Sequence, residues 1–318
     1  MNLIWSDKSE RILPDTFIKT IFRIFTQFEP YTQQDAQEFL MVFLDKLDME
    51  LSQFKPDFKL MNLFRGSYKY LNRCQECSFA SENVDFFTQL NISIPDEVID
   101  PWLALQLSEE EQGFLAKAES GVWKMVKKAG GSKPAINLYH SLQGFVTRQT
   151  IEKFCSRCNS IQKHNTHIKI ESLPDYLIIS LKRFKYSFWS SKISDQVYLT
   201  KNLMFAKLQQ TGEEYVLAAV IEHGGFVFRG HYKIYLHHAE EWWLLNDKKV
   251  RKSSFEEVFN AQAYIMMYVK KRVWEQLKNS NEEEAKKVSE NQLDRNEEMI
   301  MTQRLTGWFS QLNIFRNK

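Results

Sequence analysis

The chain has 318 residues, 43% hydrophobic and 26% charged, with 42 Lys and Arg against 40 Asp and Glu for a formal net charge of +2. No apolar run approaches the roughly 18 residues that a membrane-spanning helix needs, so the reading is a globular chain of one large or two smaller domains with no membrane partner. The lysines and arginines form no dense run, which argues against nucleic acid as a partner.

The first residues, MNLIWSDKSERIL, lack the basic segment and apolar core of a secretory signal, and the expected location is cytoplasmic, nuclear or both. TQQDAQEFLMVFLDKLDMELSQF (32–54) reads as a helix. Thr32 is the expected N-cap with Asp35 three positions on, and Ala36, Phe39, Leu40, Phe43, Leu44 and Leu47 form the buried stripe. Taken alone, this is a well-capped amphipathic helix. Residues 63–95 read as strands ending in the alternating TQLNISIP. Composition then shifts, and Ser108 with Glu111 opens a second helix that Ala-Gly-Gly closes. The span of about 99–138 is therefore read as a helical insertion.

Four cysteines fall in two pairs, RCQEC (Cys74, Cys77) and FCSRC (Cys155, Cys158). In a reducing compartment, two CxxC knuckles point to a structural zinc with four thiolate ligands; buried or redox-active pairs are the alternative. Residues 78–154 separate the knuckles, so the metal would tie two distant hairpins.

SLPDYLIISLKRFKY (172–186) is a β-rich run apolar on both faces, the mark of a doubly covered strand. YVLAAVIE (215–222) and AYIMMYVKK (263–271) give further strands. Strands separated by turns beside an N-terminal helical region indicate an α+β fold with an antiparallel sheet. The charge-balanced tail from Arg272 to Lys318 lacks core periodicity until WFSQLNIF and is expected to be helical or partly disordered.

Between these strands, HYKIYL (231–236) and WWLLND (242–247) form a predicted hairpin. Pairing across HHAEE would set His231 opposite Asp247 and Tyr232 opposite Asn246, and a one-residue slip decides which partner meets the imidazole. Either partner could accept the Nδ1 proton and leave Nε2 outward as a general base. Gly224, Gly225 and Gly230 leave the approach free for a substrate backbone. His223 is a further candidate, although an exposed loop side chain is the simpler reading.

Seven segments in order resemble the ubiquitin-specific proteases, papain-like cysteine deubiquitinases. They are QQDAQEFL (33–40), CQEC (74–77), CSRC (155–158), LPDYLIISLKRF (173–184), HGGFVFRGHYKIYL (223–236), WWLLND (242–247) and AYIMMYV (263–269). The resemblance covers about residues 17–271 and leaves the insertion and the 272–318 tail outside it. It implies a helical thumb, an antiparallel-sheet palm and zinc-knuckle fingers, with ubiquitin and ubiquitinated proteins as partners. His231 matches the family's general base, Asn246 the residue that orients it, and Asp247 an assisting neighbour. Asp35 and Glu38 match acidic positions facing the ubiquitin tail, whose arginines suit carboxylates. Tyr232 is similar to an aromatic flanking the channel for the terminal Gly-Gly, and His223 lies in a loop that closes over the tail.

The departure is at the family's first motif, a Gly- and Asn-rich segment carrying the nucleophilic cysteine at a helix start. None of the 32 residues before Gln33 is a cysteine, and the four cysteines present sit in the knuckles. The chain is expected to be either a deubiquitinase incomplete at its N-terminus or a ubiquitin-binding pseudo-protease or scaffold. Either way, the expectation is no turnover as given.

Overall fold

The computed structural model describes residues 14–29, 32–95, 136–185, 191–208, 212–226, 229–238, 240–247 and 249–279. Helices α1 (Pro14–Ile24) and α2 (Ala36–Phe54) form a helical layer. Ile21, Phe25 and Phe28 pack on Phe39 of α2, with Phe43 stacked on Phe39 at a ring separation of 5.7 Å. The apolar residues of α2 serve two clusters, because Ala36, Leu40 and Leu44 turn instead toward Tyr264 and Ile265 of the sheet.

Helix α2 starts later than the Thr32 cap predicts. Asp35 is the N-cap, with extended backbone (φ −81°, ψ 122°) and a carboxylate that accepts from the Gln37 and Glu38 amides. Thr32 Oγ1 donates to the Glu29 carbonyl instead. An aspartate at this position reaches the second and third helical amides directly and places its charge at the positive helix end, which favours the later start.

Strands β1 (Gly66–Cys74), β2 (Ala80–Phe87), β5 (Gln149–Cys155) and β6 (Ser160–Ser172) make one antiparallel sheet, ordered β2-β1-β6-β5. Pairing of β1 with β6 sets the two knuckle hairpins side by side. A second sheet runs β15-β14-β13-β12-β16-β7-β3. Its members are β3 (Gln89–Ile92), β7 (Tyr176–Leu181), β12 (Glu214–Phe226), β13 (Arg229–His238), β14 (Glu241–Asn246), β15 (Lys249–Ser253) and β16 (Ala263–Lys270), with β11 (Asn202–Met204) paired to β12. Only the β3–β7 pair in this order is parallel. Strand β7 is buried from Leu177 to Leu181, as its doubly apolar sequence requires. It stops before Arg183, and the short β8 (Phe184–Lys185) turns away to pair with β9 (Ser191–Lys192).

The predicted insertion meets the core at its end. Residues 96–135, including the Ser108–Glu111 cap, lie outside the described residues. Ile136–Asn137 forms β4, parallel to β10 (Val197–Tyr198), and leads into α3 (Leu138–Val146). Leu138, Tyr139 and Leu142 belong to the main core with Leu177, Ile179 and Leu217. Asn137 caps α3 in a reciprocal box with His140, a cap that the S/T-x-x-E pattern does not reveal. Helix α4 (Phe255–Phe259) closes the core beside Trp242. Beyond β16, residues 271–279 are helical, held by Lys271–Glu214 and Arg272–Asp175 ion pairs of 2.8 and 2.7 Å. The WFSQLNIF segment lies outside the described residues.

Asp35→Ala is expected to lower unfolding free energy by about 1–2 kcal/mol through loss of the cap. Glu38→Ala, at an exposed position of the same turn, should cost less than about 1 kcal/mol. Urea denaturation of the two variants checks the order.

Candidate active site

The β13–β14 pairing fixes which side chain meets His231. Ile234 lies opposite Leu245 and His238 opposite Glu241, one residue away from the predicted register. Continued toward the site, this register puts Asn246 on the face of His231 and two residues along from it, and Asp247 on the other face. The contact is therefore diagonal, and His231 Nε2 meets Asn246 Oδ1 at 2.5 Å. The expected orientation of the ring is reversed: the farther nitrogen, Nε2, reaches the diagonal partner, and Nδ1 is left as the basic nitrogen. An amide oxygen only accepts, so the proton on this bond belongs to the imidazole. Asp247 occupies the following turn with left-handed backbone (φ 55°).

His223 is not an exposed loop residue. It sits in β12 opposite Tyr232 and is 1% exposed. Its ring lies 4.7 Å from the Tyr232 ring and 5.4 Å from that of Phe184. A Cβ at Gly230 would fall 1.7 Å from His223 Nε2, so the absence of a side chain at Gly230 is what admits the buried ring. Burial, and next the Lys192 charge, lower the pKa of His223 to about 4; Asp35 opposes the shift, and Arg183 and His231 add to it.

Tyr232 is buried, and its hydroxyl donates to the Gln34 carbonyl at 3.4 Å and accepts from the Ala36 amide at 3.5 Å. Asp35 also accepts the Tyr264 hydroxyl, at 2.8 and 2.7 Å to its two oxygens. The carboxylate expected to face a ligand is thus already engaged with the helix and the sheet. Glu38 is exposed in the first turn of α2 and is the freer of the two acids to meet a cation.

Two basic residues drew no role from the sequence. Arg183 is fully buried, donating to the carbonyls of Ala263, Ile193 and Asp195 at 2.6, 3.0 and 2.9 Å, and burial lowers its pKa to about 10. It fastens the segment after β9 to the start of β16. Lys192 donates to the carbonyls of His223 and Gly225 at 2.5 and 3.2 Å. The only signal for Arg183 was a charge at the end of an otherwise apolar run.

At the far end of the first sheet, the sulfurs of Cys74, Cys77, Cys155 and Cys158 all lie within 4.8 Å of one another. Cys74–Cys158 and Cys77–Cys155 approach to 3.9 and 3.5 Å. A tetrahedral zinc with bonds of about 2.3 Å separates its sulfurs by about 3.8 Å, so the four thiols fit a metal of this kind. The Cys158 amide donates to Cys155 Sγ at 3.5 Å and lowers that thiol's pKa toward the thiolate a metal binds, while the neighbouring cysteine sulfurs raise that of Cys158. All four cysteines of the chain are in this cluster, so none lies beside His231.

A family profile described as ubiquitin carboxyl-terminal hydrolase matches residues 1–268. The chain belongs to this family. Within it, the relatives and structural neighbours are ubiquitin-specific proteases. Human ubiquitin carboxyl-terminal hydrolase 3 is 25% identical over 305 residues, covering 84% of this chain and 54% of the relative. Hydrolase 44-B of Xenopus laevis is 27% identical over 303 residues, covering 85% and 40%. The chain therefore spans about half the length of the curated relatives it matches. Among solved structures, the SAGA DUB module of Ubp8, Sgf11, Sus1 and Sgf73 bound to monoubiquitin superposes with a TM-score of 0.62 at 23% identity, covering 80% of this chain and 52% of that one. The same module bound to ubiquitin aldehyde gives 0.60 at 21% identity, with coverage of 80% and 53%. These likenesses show the fold: an α+β ubiquitin-specific protease architecture in which the helical layer is the thumb, the larger sheet the palm and the cysteine-tipped sheet the fingers.

Metal analysis of the purified chain is expected to find about one zinc per chain, bound by Cys74, Cys77, Cys155 and Cys158. Cys155→Ser should release it and lower the melting temperature; a zinc content near zero in folded protein would contradict this. For His223, the folded pKa lies below the ordinary 6.5, so its neutral form stabilises the fold fully above pH 6.5, and this contribution is lost as pH falls through about 4. Unfolding free energies of the parent and His223→Gln should therefore diverge between pH 6.5 and 4, with the parent showing the steeper loss.

Proposed function

We propose that this chain carries the ubiquitin-binding surface and the base pair of a deubiquitinase, the attacking thiol being supplied by residues other than the cysteines present here. The His231–Asn246 hydrogen bond supports this reading most directly. It holds an imidazole on one tautomer, with Nδ1 basic, at the end of a strand beside a glycine-rich segment. In the complete reaction, the thiolate attacks the carbonyl of ubiquitin's last glycine and His231 protonates the departing amine. Water then attacks the thioester as His231 takes its proton. Asn246 keeps the ring in register through both steps, and Asp247 assists from the turn. The four cysteines hold a structural zinc that stiffens the fingers. Glu38 offers its carboxylate to the basic tail of ubiquitin, with Asp35 fixing the helix start behind it and with Tyr232 and His223 bordering the terminal Gly-Gly. Ubiquitinated proteins of the cytoplasm or nucleus are the substrates in this reading.

The cysteine count favours a second reading for the chain as it stands, a ubiquitin-binding module without turnover. A base with no thiol to deprotonate has no covalent route. The expected result with a fluorogenic C-terminal ubiquitin substrate is no hydrolysis above background, together with saturable binding of labelled ubiquitin that Glu38→Lys weakens severalfold. Hydrolysis abolished by His231→Ala would overturn the non-catalytic reading. Absence of binding by folded, zinc-loaded protein would overturn both.

A further inference from the structure

Among the described residues, the β13–β14 ladder runs from Ile234↔Leu245 outward, whereas β12–β13 continues past Gly224↔His231 and Gly225↔Gly230 to Phe226↔Arg229. One rung of that ladder sets Gly225 against Gly230 and the next sets Gly224 against His231, with Gly225 in left-handed backbone (φ 90°), so neither rung has a cross-strand pair of side chains to fix it. Their position depends on groups reaching in from elsewhere. Lys192 ties down the carbonyls of His223 and Gly225. The Gly230 amide, next to His231, donates to Gln33 Oε1 at 3.2 Å. Gln33 Nε2 then faces His223 Nε2 at 3.4 Å.

We propose that Gln33 is a positioning residue for His231: its side-chain amide latches both the Gly230 backbone and the buried His223 ring to the start of α2, and so sets where the base stands. The assignment rests on the reading of His231 as the base. The orientation of the amide follows from its partners. A backbone N–H only donates, so the Gln33 oxygen must face Gly230 and its NH2 must face His223. His223 Nε2 then has to accept, which requires a neutral ring with its proton on Nδ1. Burial favours the neutral ring, and the Gln33 NH2 selects the tautomer by needing an acceptor at Nε2; the charged groups acting on the ring are Lys192, Asp35, Arg183 and His231. The three residues interlock sterically as well, because His223 fills the volume that a side chain at Gly230 would need. Were His223 to gain a proton, Nε2 would become a donor facing a donor. The amide would have to turn over and present NH2 to the Gly230 N–H, releasing the strand one residue from the base.

The test uses the full chain, labelled with 15N at histidine and backbone, and needs no ubiquitin. Failure of ubiquitin binding therefore leaves it intact, and failure of the latch leaves the functional reading intact. In the parent, the His223 ring is expected to remain the neutral Nδ1–H tautomer down to about pH 5. Gln33→Ala should raise the Gly230 amide exchange rate at least about tenfold and shift the His231 ring nitrogens, with Asn246 untouched. Gln33→Glu keeps an acceptor for Gly230 but sets a carboxylate oxygen against His223 Nε2. It should move the His223 titration midpoint up by about one pH unit or more. A role in folding alone would change stability without moving either signal. Unchanged His231 nitrogen shifts and Gly230 exchange in folded Gln33→Ala would overturn the proposal. So would an unchanged His223 titration in Gln33→Glu, which decides the matter if the alanine variant does not fold.

Discussion

The Asp35 carboxylate joins the two layers of the molecule. One oxygen satisfies amides at the open end of α2, and both accept the hydroxyl of Tyr264 from β16. Charge-assisted bonds of this kind are roughly twice as strong as neutral ones, and here they converge on a helix end that already favours negative charge. The start of the helix is thereby fixed against the face of the sheet that carries Tyr232 and His223. The Tyr232 hydroxyl, between the Ala36 amide and the Gln34 carbonyl, repeats the connection from β13, two strands over. Tyr232 and Tyr264, which flank His223, are thus tied to the start of α2 at a junction between a loop of four polar residues and the middle of a sheet.

The sequence made the main elements readable where one physical pattern dominated. β7 was recognisable because a strand covered on both faces has few polar positions, and the knuckles because paired CxxC spacing has few other uses. The hairpin was recognisable, but its register was not. His238 pairs with Glu241 in the observed register, so the turn between the strands is tight, and Glu240 within it adopts left-handed backbone at φ 64°. Such turns are ordinarily announced by Asn-Gly or Asp-Gly, and neither occurs here. That single residue moved Asn246 onto the face of the imidazole and reversed which ring nitrogen it meets. His223 was misread for a related reason: a histidine beside two glycines looks like a mobile loop, and nothing local reveals that Gly230 seven residues later vacates the volume its ring occupies. Helix α3 was missed because the composition shift carried the expected insertion to about residue 138, whereas Ile136, Leu138, Tyr139 and Leu142 are core residues.

The fingers place their cysteines by backbone pairing before any metal is considered. β1 and β6 are in one register from Tyr68 to Cys74, after an irregularity at Ser67, and the last rung sets Cys74 against His164. A metal at the tip then closes a ring between hairpins that are already adjacent, and the ordering entropy of the long intervening segment falls on the sheet rather than on the ion. The same arrangement commits all four thiols of the chain to one end of the molecule, away from the histidine that could have used one.

The helical stretch 271–279 puts Trp274 over His237 at 5.0 Å, and the other face of that imidazole stacks on Trp242 at 4.8 Å. Three rings thus form a column across β13 and β14, the two strands that carry His231 and Asn246. Removing the chain after Lys270 would leave His237 and Trp242, both nearly fully buried here, with one side open to water. The hairpin that carries His231 and Asn246 therefore has a lining contributed after the last strand of the sheet, and a piece that keeps this lining extends through the helix that follows.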